Sequence, residues 1–383
     1  MSTIVANVVR PGAPARLERL HLDGASVAAV TPLDGAEADD ALPGVVLPGF
    51  VDGHLHGAIG YDFGSCTPEE ARRVAGFHHR AGATDLVATL ATAPLDALEA
   101  QLARLAPLVD DGVLVGFHLE GPFLAEAHRG CHAPELLRSP DGRSVDRLLE
   151  AGRGALRTVT IAPELDGALA AIGALTAAGV RAQLGHTACS AELAEAALDA
   201  GAVGFTHLCN GMPPLAGREP GPVATGLRRM DSFVEIIADG VHLADASIDL
   251  VRRVARGRTA LVSDAMSATG QGDGDTMIAG SPVTVVNGVA RARSNGSLAG
   301  STTTLGDVVV RLARRGIADE ELAELSSGAA SRTHRLSRTL SPGDPADFVV
   351  LDGPVGSRRL AGVMRRGRWL TAEPARPPGR RAG

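Results

Sequence analysis

The feature that most constrains the fold is a regular alternation of apolar β segments with amphipathic helical segments between residues 45 and 262. Each β segment is short and rich in Val, Ile, Leu or Ala, which is typical of strands buried on both faces of a parallel sheet. The intervening segments carry helix-start signals, such as TPEE at 67–70, where proline takes the first helical position and acids the first turn. The predicted strands are Val45–Val51, Thr84–Leu90, Val113–Leu119, Arg157–Ile161, Val180–Leu184, Val203–Thr206, Phe233–Ile237 and Thr259–Val262.

Eight successive βα units without a long linker favour an α/β fold with a TIM-like (β/α)8 barrel. A doubly wound open sheet is the alternative, but no glycine-rich fingerprint follows the first strand to support it. Short alternating pieces at both chain ends indicate further strands. We therefore predict a barrel over 45–342, flanked by a small β-sandwich domain formed from 1–44 and 343–372.

The region after the barrel strands predicts several additional elements. Alternating apolar residues on either side of Asn-Gly indicate a hairpin, and the proline-containing end of the chain indicates a disordered tail. These elements are a hairpin of Ser281–Val286 and Val289–Ala292, a helix from a Ser301 cap to Arg315, a helix over Asp319–Ser327, strands Asp347–Asp352 and Leu360–Arg365, and a tail over 373–383.

Composition narrows the possible functions. The formal net charge is −7, so no global field attracts nucleic acid or a membrane surface. The chain contains no lysine, and all 37 basic residues are arginine. This excludes a P-loop lysine, a Schiff-base lysine and a carbamylated lysine that bridges two metals.

The four cysteines form no C-x-x-C pair, and we find neither a signal-peptide pattern nor an apolar run of membrane-spanning length, so we expect a cytoplasmic enzyme with free thiols.

Histidine and acidic residues stand at the carboxyl ends of six predicted strands, where barrel enzymes place their active sites. Residues i and i+2 of a strand share a face, so His54 and His56 can converge on one ion. Each residue alone could be a packed histidine or a helix cap, but together they predict a divalent metal site. The residues are His54, His56, His118, Glu120, His186, His207, His242 and Asp264. Of these, we expect His118 to be hydrogen-bonded in the barrel interior rather than to bind metal.

A glutamate with two neutral histidines is typical of a catalytic zinc site that keeps one position open for water. Such an ion lowers the pKa of the water and polarises a carbonyl group, and an aspartate on the last strand is then free to act as acid and base. The pair His54 and His56 could hold a second ion, with Glu120 as the bridge that lysine cannot supply here. The residues therefore predict a metal-dependent hydrolase.

The motifs at these strand ends resemble those of the amidohydrolase superfamily, and within it the N-acetylglucosamine-6-phosphate deacetylase family. The matching runs are HLEGPF, RGCH, GHT, THLCNGMPPLAGREPG, ADGVH, SDAM and LAGS, from about Val45 to Ser301, with DPADFVVLD near the C-terminus. This resemblance implies hydrolysis of N-acetyl-D-glucosamine 6-phosphate to D-glucosamine 6-phosphate and acetate, in amino-sugar catabolism and cell-wall recycling. It also implies a homodimer that uses a divalent metal, most often zinc, with iron, manganese, cobalt or cadmium as alternatives.

The resemblance further implies a role for individual residues. Glu120, His186 and His207 would bind the required ion, and Asp264 would be the catalytic acid and base, while the H-x-H pair would hold a second ion. His132 would approach the acetyl carbonyl. The substrate-contacting set is Cys131, His132, Asn210, Gly211, Arg218, His242, Leu298, Ala299 and Gly300.

Within that set, Asn210, the Gly211 backbone and Arg218 would hold the 6-phosphate, because a guanidinium fork matches phosphate oxygens. His242 would contact the sugar. Position 211 is often alanine in the family and is glycine here, which is harmless if only the backbone N–H is used.

Two other interpretations remain open at this point. One is a different amidohydrolase, such as a dihydroorotase, a nucleobase deaminase or a dipeptidase. The absence of lysine disfavours the carbamate-dependent members, and Arg218 favours a phosphosugar. The other is an inactive barrel that serves as a scaffold, which we would expect to have lost metal-binding residues that this chain retains.

Overall fold

The computed structural model describes residues 2–34, 40–278 and 280–375. The strands are β1 Ser2–Arg10, β2 Ala13–Asp23, β3 Ser26–Pro32, β4 Val45–Pro48, β5 Phe50–Leu55, β6 Gly57–Ala58, β7 Tyr61–Asp62, β8 Ala83–Ala91, β9 Gly116–Glu120, β10 Leu156–Ile161, β11 Arg181–Leu184, β12 Gly204–Phe205, β13 Phe233–Ile236, β14 Thr259–Leu261, β15 Gly274–Ile278, β16 Ser281–Val286, β17 Val289–Ala292, β18 Phe348–Asp352, β19 Arg359–Arg365 and β20 Arg368–Trp369. The α-helices are α1 Pro68–Arg80, α2 Leu95–Asp110, α3 Gly142–Gly152, α4 Ala168–Ala177, α5 Ala191–Asp199, α6 Gly221–Arg228, α7 Asp245–Val254, α8 Leu305–Arg314, α9 Asp319–Ala323 and α10 Ala329–His334.

The described chain contains eight strands, β5 and β8–β14, that follow one another in order in a nearly closed parallel barrel. A helix follows each barrel strand before the next one, as the alternating pattern predicts, although β6 and β7 come between β5 and α1. After β14, the strands β15–β17 precede α8. Beyond the strand ends, the Asp264 N–H donates to the His54 carbonyl at 2.9 Å and the His56 N–H to the Ala265 carbonyl at 2.7 Å. These bonds bring the first and last strand ends together, and the predicted (β/α)8 barrel is confirmed.

The apolar run that we predicted as one strand, Val45–Val51, is in fact two strands that belong to different sheets. β4 pairs with β1 and β18, whereas β5 is a neighbour of β8 in the barrel. Gly49 separates them, and a Cβ atom at this position would lie 2.1 Å from Thr84 Oγ1. Only glycine permits so close an approach, which the apolar periodicity does not reveal.

The small β domain forms, over the described residues, one seven-stranded sheet in the order β20-β19-β18-β4-β1-β2-β3. Its pairs are antiparallel except for β1 with β4. Leu20 and Val46 pack with Phe348 and Val350 in one apolar cluster. Both chain ends therefore build this domain, as predicted.

The described residues fall into two compact units. One comprises Met1–Asp52, Gly76–Asp85 and Thr304–Gly383, and the other Gly53–Ala75 and Leu86–Thr303. These limits differ from the predicted boundaries at 44/45 and 342/343. The reason at the C-terminal boundary is that α8 and α9 contact strands of the small sheet. The predicted disordered tail lies, from residue 376 onwards, outside the described residues.

The predicted hairpin is present as β16 and β17, and Asn287 and Gly288 have φ angles of 52° and 72° at its turn. Positive φ at both positions is the signature of the two-residue turn that Asn-Gly favours. The strand β15, which we did not predict, adds to this hairpin as a third antiparallel strand.

The prediction of a Ser301 cap is wrong. The cap is Thr304, whose hydroxyl accepts from the Asp307 N–H while the Asp307 carboxylate accepts from the Thr304 N–H. This reciprocal capping box satisfies two backbone donors at the start of α8.

The predicted helix Asp319–Ser327 is α9 followed by a π-helical turn, Glu324–Gly328. Among the described ranges, no helix is both long and apolar enough to cross a bilayer.

Candidate active site

A cavity of about 360 Å³ opens at the carboxyl ends of the barrel strands. Within the unit Gly53–Ala75 and Leu86–Thr303, it gathers most of the residues that the sequence predicts for the site. Its lining includes His56, Glu120, Cys131, His132, His186, His207, Asn210, Gly211, His242, Asp264, Leu298 and Gly300.

Glu120, the last residue of β9, is the centre of the site and is 3% exposed. Its Oε1 lies 2.9 Å from Nε2 of His207 and 3.1 Å from Nε2 of His186. Its Oε2 lies 3.1 Å from Nε2 of His56 and 3.3 Å from Nε2 of His132. Oε1 also lies 3.5 Å from Nε2 of His54. One buried carboxylate therefore faces five imidazoles, three on Oε1 and two on Oε2.

The donor atoms of Glu120, His186 and His207 form a triangle that fits one metal ion. The two Nε2 atoms are 3.1 Å apart, in addition to their 3.1 and 2.9 Å distances from Glu120 Oε1. Ligands of a tetrahedral zinc ion at about 2.0–2.1 Å stand about 3.3 Å apart, close to this spacing. His186 Nδ1 lies 2.8 Å from the His128 carbonyl oxygen, to which an Nδ1–H group can donate. The Nε2 atom of His186 then keeps its lone pair free to bind an ion.

His54 and His56 form a second converging group with Asp264. The two Nε2 atoms are 3.2 Å apart and lie 3.4 and 3.3 Å from Asp264 Oδ1. Glu120 also faces this group, and its donor atom lies within 4.8 Å of those of both histidines. The donor set of nitrogen and carboxylate oxygen suits a second divalent ion, with Glu120 between the two positions.

The electrostatics of the cluster follow from this crowding. Burial alone would lower the pKa of His54 and His56, but the carboxylates of Glu120 and Asp264 outweigh it. The pKa of His54 is raised well above its ordinary value, and that of His56 is raised to about 9. In turn, burial would raise the pKa of both acids, yet the imidazoles hold that of Glu120 well below its usual range and that of Asp264 at about 2. Both carboxylates are therefore ionised and attract positive charge.

Three residues of the cluster adopt left-handed backbone conformations. The φ angles are 49° for His186, 30° for His207 and 49° for Asp264. Non-glycine residues pay roughly 1–2 kcal/mol each for this conformation, and such strain concentrates at functional sites. The barrel holds these side chains in place against their local preference.

His132 and Cys131 lie together in the loop after β9, and both are buried. His132 Nδ1 is 2.8 Å from Thr92 Oγ1, which orients the ring toward Glu120. The Cys131 carbonyl accepts from the Ser281 hydroxyl at 2.7 Å. Burial raises the pKa of the Cys131 thiol, so this residue does not supply a thiolate nucleophile at neutral pH.

The structure explains the glycine at position 211. Gly211 has a φ of 60°, and a Cβ atom here would lie 2.9 Å from His186 Nδ1. Its neighbour Asn210 also lines the cavity. In the segment after β17, Leu298 and Gly300 line the cavity, whereas the Ala299 side chain is buried in an apolar cluster.

Arg218 is one of three predicted site residues that are absent from the cavity lining among the described residues, with the fully buried His54 and Ala299. It lies in an exposed segment without regular structure, residues 214–219, and is absent from the cavity lining among the described residues. The reason is local, because this irregular segment places the arginine side chain at the surface. Its contact with a phosphate stays a prediction.

Below the metal-binding atoms, polar side chains form a hydrogen-bonded chain through the barrel interior. His118 belongs to it, with Nδ1 3.2 Å from Thr89 Oγ1 and Nε2 2.7 Å from Thr160 Oγ1, as expected for a packed histidine. At its other end, Glu235 Oε2 lies 3.9 Å from His54 Nδ1. The members are Thr89, His118, Thr160, Thr206, Gln183 and Glu235, linked at 2.7–3.4 Å.

Sequence reasoning missed most of these supporting residues. A signal was present, because each is a polar residue within a predicted barrel strand. A polar side chain there must find a partner if it is buried.

A parallel barrel with a histidine–carboxylate cluster at its strand ends defines a metal-dependent hydrolase of the amidohydrolase class. No family model matches the chain. The N-acetylglucosamine-6-phosphate deacetylase of Vibrio furnissii is 38% identical over 290 residues, covering 74% of this chain and 72% of that protein. The N-acetylgalactosamine-6-phosphate deacetylase of Escherichia coli O157:H7 is 35% identical over 345 residues, and the match covers 87% of this chain and 90% of that protein.

A solved structure gives the same result. A mutant N-acetyl-D-glucosamine-6-phosphate deacetylase from Mycobacterium smegmatis, in complex with N-acetyl-D-glucosamine-6-phosphate, superposes with a TM-score of 0.91. It is 39% identical, and the match covers 97% of this chain and 99% of that one. The chain belongs to the N-acetylglucosamine-6-phosphate deacetylase family.

Proposed function

We propose that this protein hydrolyses the acetamide of N-acetyl-D-glucosamine 6-phosphate to release acetate and D-glucosamine 6-phosphate. The observation that carries the proposal is Glu120, set among five imidazoles at a cavity that Asp264 also lines. The cavity volume of about 360 Å³ is in the range of small-molecule sites. The names of the relatives support this substrate.

We infer that Glu120, His186 and His207 hold the ion that the reaction requires, and that His54 and His56 hold a second one. Zinc suits this mixture of imidazole and carboxylate ligands, although iron, manganese, cobalt and cadmium can occupy similar sites. A divalent ion here supplies Lewis acidity to the acetyl carbonyl and to the attacking water.

Asp264 is placed to move the proton. Its pKa of about 2 keeps it ionised, so it can accept a proton from the attacking water and pass it to the departing amine. His132, oriented by Thr92, lies beside Glu120 on the same cavity wall. Burial lowers the pKa of His132, so a neutral ring can donate one N–H to the carbonyl oxygen as charge develops there.

The remaining residues would hold the sugar phosphate. Asn210 and the Gly211 N–H lie on the cavity wall, and we propose that they bind the 6-phosphate together with Arg218, after the exposed segment 214–219 closes on it. His242 would contact the sugar. As the family resemblance implies, we propose a cytoplasmic homodimer that acts in amino-sugar catabolism and cell-wall recycling.

Acetate release by the purified protein tests this function. We expect kcat/KM for N-acetyl-D-glucosamine 6-phosphate to exceed that for the unphosphorylated sugar by at least about 100-fold, since hydrogen bonds to a charged phosphate contribute about 1.5–3 kcal/mol each. Chelation should abolish the activity, and added zinc should restore it. Dihydroorotate, cytosine and a dipeptide serve as control substrates, and faster turnover of any of these would refute the proposal.

A second candidate substrate is N-acetyl-D-galactosamine 6-phosphate, because a deacetylase of that name is 35% identical over 345 residues. The two sugars differ only in the configuration at C4. Parallel measurement of kcat/KM on both decides between them, and a clear preference for the galactosamine sugar would replace the substrate proposed above.

A further inference from the structure

A buried aspartate that we did not predict supports the cavity histidine His242. Asp239, in the motif ADGVH after β13, has a side chain that is 3% exposed. Its Oδ2 lies 2.9 Å from His242 Nδ1 and accepts from the Ser301 hydroxyl at 3.0 Å. Its Oδ1 accepts the backbone N–H of Val241 at 2.8 Å and of His242 at 2.9 Å.

This geometry determines which nitrogen of His242 carries the proton. Burial would raise the pKa of Asp239, but the bonds from His242 lower it, so the carboxylate is ionised. An ionised carboxylate can only accept hydrogen bonds, and His242 Nδ1 must therefore be protonated. The Nε2 atom is left for the cavity that His242 lines.

Ser301 links this pair to the catalytic part of the site. Its N–H donates to the Asp264 carbonyl at 2.7 Å, and its carbonyl accepts from the Met266 N–H at 3.0 Å. Asp239 thus joins the loop after β13 to the backbone of the residue proposed as acid and base. Replacing the Asp239 carboxylate would alter the hydrogen bond that it makes with His242, and His242 lines the cavity.

We propose that Asp239 is a positioning residue that fixes the ring orientation and proton of His242, so that His242 Nε2 is presented to a hydroxyl of the bound sugar. The contact with the sugar rests on the proposed function, whereas the proton position is a property of the protein without substrate. The competing explanation is that Asp239 only stabilises its turn.

Asp239→Asn separates the two explanations. The amide oxygen can still accept the backbone N–H groups of the turn, but the NH₂ group would face His242 Nδ1 and require that nitrogen to be unprotonated. The proton would then move to Nε2. The matched control is Asp141→Asn, because Asp141 likewise accepts a backbone N–H and a hydroxyl, both from Ser144, at 2.9 and 2.6 Å, away from the cavity lining.

The first measurement is the ¹⁵N spectrum of the zinc-loaded enzyme with labelled histidine, with His242 assigned by its loss in His242→Gln. We expect a protonated Nδ1 in the parent protein and in Asp141→Asn, and a protonated Nε2 with unprotonated Nδ1 in Asp239→Asn. A parent protein with unprotonated Nδ1 would overturn the proposal, even if the protein proved to have another substrate.

The second measurement is a double-mutant cycle in deacetylation. Asp239→Asn should raise KM at least about tenfold with bound zinc unchanged, and should have less than a twofold effect in a His242→Gln background. Asp141→Asn should behave as the parent. Equal effects of Asp239→Asn in the two backgrounds would assign Asp239 to the turn alone. A parent enzyme that deacetylates no phosphosugar would refute the proposed function, while the spectra would still decide the role of Asp239.

Discussion

The two units each contain a buried cluster of charged groups, and the clusters are built in opposite ways. In the barrel unit, Glu120 and Asp264 face several imidazoles, and the Nε2 atoms of neighbouring imidazoles stand about 3 Å apart. In the unit with the small sheet, the Asp85 carboxylate accepts two hydrogen bonds from the Arg338 guanidinium, one of them at 2.8 Å. The Asp347 carboxylate accepts one from the backbone N–H of Arg366. In the first cluster several imidazoles surround the same carboxylate, whereas in the second each carboxylate has its own donor residue.

The difference separates a binding site from a structural one. A carboxylate paired with arginine is already neutralised by a group that cannot lose its proton. The imidazoles around a carboxylate, by contrast, can lose a proton near neutral pH, and they then offer lone pairs to a divalent ion. Burial is similar in both clusters, so the nature of the partners decides which one is suited to bind a metal ion.

Replacing the shared carboxylate should have the largest effect. Glu120→Ala removes the oxygens that face all five imidazoles, so we expect turnover to fall to background and bound metal to be lost. His54→Ala should weaken a second ion more than it reduces turnover. Metal content per subunit and acetate release check both variants, and equal losses of turnover would refute the division between a required and a second ion.

Asp264→Asn should separate metal binding from proton transfer. The amide retains an oxygen but cannot accept a proton, so kcat should fall by about 10²–10⁴-fold while the ion held by Glu120, His186 and His207 remains. Metal analysis and kcat on the same preparation provide the check. Near-normal turnover would exclude Asp264 as the acid and base.

Arg338→Ala should affect stability rather than catalysis. It leaves Asp85 as a buried carboxylate without its arginine, which costs about 3–5 kcal/mol. We expect a lower urea midpoint with kcat of the folded enzyme and bound metal unchanged. Loss of metal from this variant would show that the two clusters are not independent.

Asp347→Asn should produce the smallest effect, visible as a change in pH dependence. Burial raises the pKa of Asp347 to about 6, so the folded state binds its proton more tightly than the unfolded state, where the pKa is about 3.9. Its contribution to stability is therefore present below about pH 4 and is lost as the pH rises through 6. From pH 4.5 to 7.5 the variant should gain about 1–3 kcal/mol relative to the parent. Urea unfolding at both pH values measures the stability difference between the variant and the parent. If that difference is the same at pH 4.5 and 7.5, the raised pKa of Asp347 is contradicted.

Much of the fold could be predicted because its signals are local. Seven of the eight barrel strands have both ends close to their predicted positions, and the Asn-Gly hairpin lies where expected. The errors arose where a contact distant in sequence decides the outcome. The run Val45–Val51 is divided at Gly49 because Thr84 approaches the backbone there, and no periodicity within the run reveals a residue 35 positions away.

The candidate site shows the same division. The sequence by itself determined which chemical groups stand at strand ends, since strand periodicity and residue type are local properties, and it placed Glu120, His186, His207 and Asp264 at one end of the barrel. Only the tertiary structure decided that five imidazoles surround the two Glu120 oxygens, and that Asp239 supports His242. Those relations depend on barrel closure and loop conformation, which position atoms to within a few tenths of an ångström by packing between segments far apart in the chain.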